Sequence, residues 1–345
     1  MLWVIGCKGL PGLMSERIAR TGQEACLLRT GGAAWAAQVA WHALAFPPAQ
    51  FPFTLTPPMS DPEFINAGDG RRIDMLTWLP EAPRAVVQIA HGMGEHAGRY
   101  DRLARALVRQ GYAVYANHHR GHGPRAADAG MLGNLGPGGF ARLVEDMADV
   151  SRCIRERHPH LSLVLIGHSM GSFAAQAYAL SYSSWLQALV LSGTAATDLA
   201  AEDRRSGRRE LAQAKSANQP PRTPWDWLTR DDAEVDKYMA DPLCGFPLEP
   251  SSLASMYATC APATVPGGFS GLRPTLPIYL VTGSCDPVND HLRSFHPLVR
   301  RLRDAGLTRV TEAIYEGARH EVFNETNRDE VVDAMLAWLE TACRF

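Results

Sequence analysis

Residues 163–176 read LVLIGHSMGSFAAQ. An apolar run, residues 163–166, enters Gly167-His168-Ser169-Met170-Gly171, and small residues follow. The run reads as a buried strand and the small-residue stretch after it as a helix. A plain turn between the two needs one glycine at most. Two glycines, each two residues from one serine, indicate a crowded backbone in which bulk at either flank would clash with neighbouring chain. The spacing G-x-S-x-G between strand and helix therefore predicts a sharp elbow that holds Ser169 in strained geometry. Its hydroxyl is expected at the C-terminal edge of a sheet, where α/β proteins form ligand sites. It also falls at a helix N-terminus, whose free N–H groups favour developing negative charge.

The same alternation extends in both directions. Residues 63–67 and 72–79 read as two strands joined at Gly68-Asp69-Gly70, a good hairpin turn. Strands are expected at 85–92, 112–119, 188–194, 278–286 and 310–317, and helices at 99–110, 138–158, 170–182, 291–305 and 328–342. Strands alternating with helices imply an α/β fold, a mainly parallel sheet with helices on both faces. Residues 195–273 break the pattern: polar at first, then carrying prolines, two tryptophans and a helix-like 231–240. Such a length is too great for a simple loop, so it reads as an inserted lid. The expected organisation is a core of 59–194 and 274–345 interrupted by the 195–273 lid. Residues 1–58, rich in Ala, Gly and Pro, read as an irregular extension ahead of a domain that begins near Met59, or as an overcalled translation start. Within them, 33–46 is apolar but short.

Composition narrows the function classes. Hydrophobic residues make up 46% of the 345 and charged residues 20%, enough apolar content for a sizeable core. A net charge of −2 gives no footprint for nucleic acid or an anionic membrane. The seven cysteines are odd in number and form no C-x-x-C pair, which fits a reducing, cytoplasmic setting rather than a disulfide framework. MLWVIGCKGL has no basic region ahead of its apolar residues, and no run reaches membrane-spanning length, so neither a secretory signal nor a span is expected.

A serine hydroxyl is a poor nucleophile without a base. After a G-x-S-x-G elbow the acid and then the base should follow, each on a loop after a late strand. Asp286 follows IYLVTGSC, and His320 lies in EGARHEVF after the next strand. Each alone reads as an ordinary turn or loop residue; in order behind their own strands they read as acid and base. Ser169 would attack an acyl carbonyl, His320 would take and return its proton, and Asp286 would fix the tautomer of His320. Activity should then fade in acid as the imidazole gains a proton. The oxyanion donors expected are the backbone N–H of Met170, directly after the nucleophile, and that of Met93 in the loop His91-Gly92-Met93-Gly94.

Other features are read more plainly. His118, His119 and His122 lack a carboxylate or cysteine at ligand spacing, so they read as structural and no metal is expected. Arg120 and the Gly121-His122-Gly123 turn read as braces of a loop beside the site. RRSGRRE (204–210) reads as a solvated lid face. Trp225, Trp227, Tyr238 and Phe246 are candidates for lining an acyl-chain pocket, with lid packing the other reading. No phosphate loop or dinucleotide fingerprint is present.

With these residues in place the chain resembles the α/β-hydrolase superfamily, and more narrowly its monoacylglycerol lipase and bacterial lysophospholipase group. The resemblance covers about 60–343 and rests on HGMGEHAGRY (91–100), HRGHG (119–123), GHSMG (167–171), TPWDWLTRDDAEVDKYMADPLCGF (223–246), GSCDPVND (283–290) and RHEVFNE (319–325). It implies an α/β-hydrolase fold with a helical lid and a serine esterase acting through an acyl-enzyme on monoacylglycerol, lysophospholipid or similar acyl esters. It implies no cofactor; from the charge balance no nucleic-acid partner is expected, and transient membrane or micelle contact through the lid is a separate expectation. The resemblance assigns Ser169, Asp286 and His320 to the triad and Met93 and Met170 to the oxyanion hole. One departure stands out: the group usually has aspartate just before H-R-G-H-G, and here the residue is His118, which implies altered loop stability rather than lost catalysis. Pro124 is a smaller departure. Acyl transfer, perhydrolysis and amide cleavage use the same triad and remain open, as does a non-catalytic ligand-binding homologue. Epoxide or haloalkane hydrolysis would need a carboxylate where Ser169 stands.

Overall fold

Successive residues of the run at 163–166 bury on opposite faces of a sheet. Leu163 and Leu165 join one apolar cluster, and Val164 and Ile166 join the other. Neighbouring strands keep the same period: Val86, Leu189, Leu191 and Leu280 share the first face, and Val87, Val190 and Val281 the second. A sheet buried on both sides must carry helices on both sides, and a near-continuous apolar run is the sequence form of such a strand.

The computed structural model describes residues 61–216 and 220–343. The expectations for residues 1–58, including 33–46, lie outside the described residues. The strands are β1 (Asp61–Asn66), β2 (Arg72–Trp78), β3 (Ala85–Ala90), β4 (Tyr112–Asn117), β5 (Leu163–His168), β6 (Leu186–Ser192), β7 (Ile278–Gly283) and β8 (Val310–Tyr315). They form one sheet in the order β1-β2-β4-β3-β5-β6-β7-β8. β1, β2 and β4 pair antiparallel, and every pairing from β4 through β3 to β8 is parallel. The helices are α1 (Asp101–Arg109), α2 (Gly123–Asp128), α3 (Gly139–Arg157), α4 (Met170–Tyr182), α5 (Thr197–Arg205), α6 (Arg208–Ser216), α7 (Asp232–Ala240), α8 (Pro250–Cys260), α9 (Phe295–Asp304) and α10 (Arg328–Ala342). α3, α4, α8 and α9 supply Met147, Phe173, Met256 and Phe295 to the first face. α1 and α10 supply Leu107 and Met335 to the second. This is the α/β-hydrolase architecture.

Three differences from the sequence reading have local causes. The helix expected from 291 begins at Phe295, because Asp290, His291 and Leu292 hold positive φ angles of 48°, 51° and 76° that a right-handed helix cannot use. α2 lies in a stretch read as loop; Pro124 near its start supplies the helical φ and needs no N–H there. Between β6 and β7 the stretch read only as polar is two helices, α5 and α6, followed by α7 and α8. Among the described residues no helix is long and apolar enough to cross a membrane.

Candidate active site

Ser169 leaves β5 with φ 53° and ψ −120°, a conformation costly for a residue with a side chain, and α4 starts at the next residue. The flanking glycines explain how the turn closes. A Cβ on Gly167 would come within 2.5 Å of the Gly171 carbonyl oxygen, and one on Gly171 would run into the carbonyl oxygens of Ala90 and His91. The elbow is thus wedged between its own helix and the end of β3. The Ser169 N–H is held by Ser192 O at 2.9 Å.

Asp286 sits just past β7 and is fully buried. Its Oδ1 lies 2.9 Å from His320 Nδ1 and accepts the Val288 N–H at 2.9 Å; its Oδ2 accepts from Thr282 Oγ1 at 3.1 Å and Asn289 Nδ2 at 3.3 Å. Burial pushes this carboxyl up, but the facing His320 and these donors outweigh it and leave it below the ordinary value. His320, on the loop after β8, is buried between the ring of His168 (centroids 4.8 Å) and that of Trp227 (5.4 Å). Gly193, with φ 54°, lets the imidazole approach, since a Cβ there would lie 2.8 Å from its Cε1. With Nδ1 engaged by Asp286, Nε2 is the nitrogen free to act as a base.

Ser169 and His320 line one cavity of about 280 Å³. Met93 lines it too, and Gly92 lies against Ser169, where an added Cβ would meet the serine Cβ at 3.2 Å. Met170 is buried at the helix start. Among the described residues neither the Met93 nor the Met170 N–H donates to a protein acceptor. Trp225, Trp227, Tyr238 and Phe246 all line the same cavity. Of the residues singled out from the sequence, Met93, Ser169, Trp225, Trp227, Tyr238, Phe246 and His320 line this cavity, Asp286 lies behind His320, and Met170 opens the helix after Ser169.

A buried charge network, absent from the sequence reading as a site feature, sits behind it. Arg99 donates to Glu95 at 2.7 Å and, with both Nη atoms, to Glu321 at 2.7 and 2.8 Å. Glu95 also accepts the Gly92 N–H and the Tyr100 hydroxyl, the latter at 2.8 Å. Arg99 thus ties the Met93 loop to the residue after His320. Burial pushes Glu321 up, and the Arg99 guanidinium reverses this, leaving the carboxyl well below its usual range. The segment after β6 is fastened to the same places. Gly94 O accepts from Tyr238 Oη and from the Gly245 N–H, each at 2.9 Å. Arg319 reaches the carbonyl oxygens of Asp226 and Thr229 at 2.5 and 3.0 Å.

Near H-R-G-H-G, His91 and His122 are engaged in structural hydrogen bonds, while His119 keeps a buried Nε2 with no hydrogen-bond partner among the described residues. His91 Nε2 accepts the His119 N–H at 3.0 Å, and its Nδ1 faces Gly92 O at 2.8 Å. His122 Nδ1 faces Arg120 O at 2.8 Å while its Nε2 accepts the Gly94 N–H at 3.3 Å. Both rings use both nitrogens, which leaves no lone pair for a metal. Arg120 braces α3 and the first hairpin through Asp146 and Asp69. His118 keeps a buried Nδ1 with no hydrogen-bond partner among the described residues, and burial pushes it down to about 4. One histidine, aspartate and cysteine group, His96, Asp241 and Cys244, has ligand atoms within 4.8 Å of one another. There His96 Nδ1 accepts the Gly98 N–H at 3.2 Å, so Nε2 bears the proton facing Asp241 at 2.8 Å. That tautomer presents a proton to the cluster instead of a lone pair.

One sequence reading holds only in part: Arg205, Ser206, Gly207 and Glu210 of the 204–210 stretch are exposed. Arg204 and Arg209 of the supposed solvated face line the cavity beside Ser169. The polar run of 204–210 gave no apolar stripe from which to phase α5 and α6.

Comparison with known proteins adds four findings. Residues 81–327 match the family described as Serine aminopeptidase, S33. The chain is 31% identical over 283 residues to the monoacylglycerol lipase of Mycolicibacterium smegmatis, covering 81% of this chain and 96% of that one. It is 30% identical to the monoglyceride lipase of Mus musculus, covering 80% and 87%. Among solved structures it is similar to a thermostable carboxyl esterase from Bacillus coagulans crystallised with glycerol. That likeness has a TM-score of 0.73 and 27% identity, over 82% of this chain and 98% of that one.

Proposed function

The chain belongs to the Serine aminopeptidase, S33 family, as an α/β-hydrolase of the monoglyceride lipase-like group, and from that premise we propose that it hydrolyses monoacylglycerol, lysophospholipid or similar single-chain acyl esters through an acyl-enzyme on Ser169. It is a serine hydrolase, an ester hydrolase of the lipase and esterase kind. The observation that carries the finer reading is the convergence of the Ser169 elbow and the buried His320–Asp286 pair on one cavity.

In this mechanism His320 Nε2 takes the proton from Ser169 as the hydroxyl oxygen bonds to the ester carbonyl carbon. The Met93 and Met170 N–H groups receive the negative charge that forms on the carbonyl oxygen. His320 then protonates the departing alcohol, and the bond between acyl carbon and alcohol oxygen breaks. Water repeats the sequence on the acyl-enzyme and releases the fatty acid. Asp286 holds the imidazole in the required tautomer and balances its charge. Trp225, Trp227, Tyr238 and Phe246 form the wall against which the acyl chain packs. We take 195–273 as the lid of this cavity and 59–194 with 274–345 as the core. The lid meets a micelle or membrane surface transiently. No cofactor enters the scheme. Free thiols at Cys153, Cys244, Cys260, Cys285 and Cys343 support a reducing, cytoplasmic setting.

A fluorophosphonate probe tests the nucleophile: one equivalent should label Ser169, and an unlabelled wild-type protein would overturn the enzyme mechanism in favour of a binding protein. A chain-length series of p-nitrophenyl esters, run beside monoacylglycerol, lysophosphatidylcholine and a matching acyl anilide, tests the substrate class. Faster cleavage of the anilide than of the esters would replace the ester reading with amide cleavage.

A further inference from the structure

The ion pairs around 204–210 are unevenly distributed. Arg208 donates to Asp203 and Glu202, each at 2.8 Å, and Asp203 is also taken by Arg293. Asp198, on the same helix, is held by Arg301 at 2.7 and 2.8 Å. The side chains of Arg204 and Arg209 have no hydrogen bond or ion pair with any described residue. They project instead into the cavity that contains Ser169 and His320. Glu95 and Glu321, which also line it, are bound to Arg99, so Glu210 is the one lining carboxylate outside that network among the described residues. Beside the two arginines, on α8, the Tyr257 hydroxyl is buried with no hydrogen-bond partner among the described residues. The cavity thus carries an aromatic set and a cationic pair beside the nucleophile and base.

We propose that Arg204 and Arg209 form a subsite for an oxyanion, a phosphate or a carboxylate, on the alcohol portion of the ester. This deepens the ester-hydrolase reading and rests on it. The aromatic set suits the acyl chain, which leaves the arginine pair to the head. A guanidinium presents a planar fork of donors that matches the two oxygens of a carboxylate or phosphate, and two of them tolerate their proximity best with an anion between them. The reaction itself is unchanged: water adds across the bond between acyl carbon and alcohol oxygen. The fatty acid leaves as a carboxylate, and the alcohol leaves with its oxyanion intact.

Three esters with one acyl chain separate the possibilities: monolauroylglycerol (neutral), lauroylglycerol 3-phosphate and lauroyl glycerate, all below their critical micelle concentrations, with the full chain. At low ionic strength at least one anionic ester is expected to exceed the neutral one in kcat/KM by about tenfold or more, the scale of a charge-assisted contact. The advantage should shrink as salt rises. The ester that leads identifies phosphate or carboxylate as the preferred group. Arg204→Gln with Arg209→Gln should reduce the anionic-to-neutral ratio by about tenfold or more, with a thermal melt showing that the variant is folded. Should the double variant not fold, the wild-type ratio and its salt dependence decide. Equal kcat/KM for all three esters, or a ratio indifferent to salt, overturns the subsite while leaving the ester-hydrolase reading intact. No turnover of any of the three overturns both.

Discussion

His320 Nδ1 lies 2.9 Å from Asp286 Oδ1, with both side chains withdrawn from solvent. The carboxylate accepts three further hydrogen bonds, so it is held as an anion and cannot rotate away from the ring. That relationship fixes which nitrogen of His320 bears the proton, and with it which nitrogen can accept one.

Exchanging Asp286 for Asn should therefore damage catalysis far more than structure. The amide can present a donor to Nδ1 and so favour the wrong tautomer; a fall of about 10⁴ in kcat is expected. Ser169→Ala should lower hydrolysis by about 10⁴–10⁶. Steady-state kinetics on a short-chain ester, with thermal melts as the check on folding, would measure both. Activity retained by the alanine variant would end the acyl-enzyme account.

The Met93 donor is a backbone N–H, so its side chain is dispensable in a way its nitrogen is not. Met93→Ala should change kcat by only a few fold. Met93→Pro removes the hydrogen itself and should cost about 100- to 1000-fold. Comparable losses in the two variants, measured as kcat on the same ester, would remove Met93 from the oxyanion hole.

Gly171→Ala tests the elbow's packing. The new Cβ would collide with the carbonyl oxygens of Ala90 and His91, which belong to backbone and cannot swing aside. Destabilisation at or above the usual overpacking range of about 1–3 kcal/mol is expected. Urea midpoints would report it, and an unchanged midpoint would mean that the crowding inferred from two glycines does not exist.

What could be read from residues alone follows from how local each signal is. Ser169, Asp286 and His320 each stand shortly after a strand legible in the sequence, so chain order and strand ends located them without any distance. The aromatic wall could be named only as a candidate, because large rings serve lid packing as well as a pocket. Glu95, Arg99 and Glu321 left a fainter mark. Glu95 and Arg99 have i, i+4 spacing, but Arg99 and Glu321 are 222 residues apart, and no local pattern announces that pair. Arg204 and Arg209 were hidden by a stretch polar on every side, which carries no amphipathic phase. The late start of α9 was hidden too: Asp and His favour single left-handed positions, but Leu does not, and no residue type announces three such positions in succession.

Removing Arg99 should expose how tightly the site's scaffold depends on one charge. Arg99→Met leaves Glu95 and Glu321 facing each other without a cation, and breaking a buried pair in this way typically costs about 3–5 kcal/mol. The cost should depend on pH. Glu321 is held below its unfolded value, so its contribution is present above the unfolded pKa of roughly 4.3 and is lost as pH falls through the folded value. The stability gap between wild type and variant, measured by urea unfolding, should thus be widest near neutrality and narrow below about pH 4.5. A gap that is constant from pH 7 to pH 4 would show that the loss is one of packing alone.

Acid should weaken the whole core through its buried histidines. Burial pushes His122 and His168 down to about 4 and His119 to about 3, and His91 lies well below its ordinary value for the same reason. The unfolded chain takes up these protons near pH 6.5 and the folded chain does not. Stability from this source is therefore full above about pH 6.5 and falls as pH drops toward the folded values, by about 1.4 kcal/mol per pH unit for each group that titrates independently. Mutual repulsion among neighbouring rings makes the sum smaller than four independent groups would give. Urea unfolding at pH 8, 7, 6 and 5 should show a plateau at the first two values and a decline at the last two, in a window where carboxylates titrate little. Equal stability at pH 8 and pH 5 would mean that these imidazoles are not held neutral by burial.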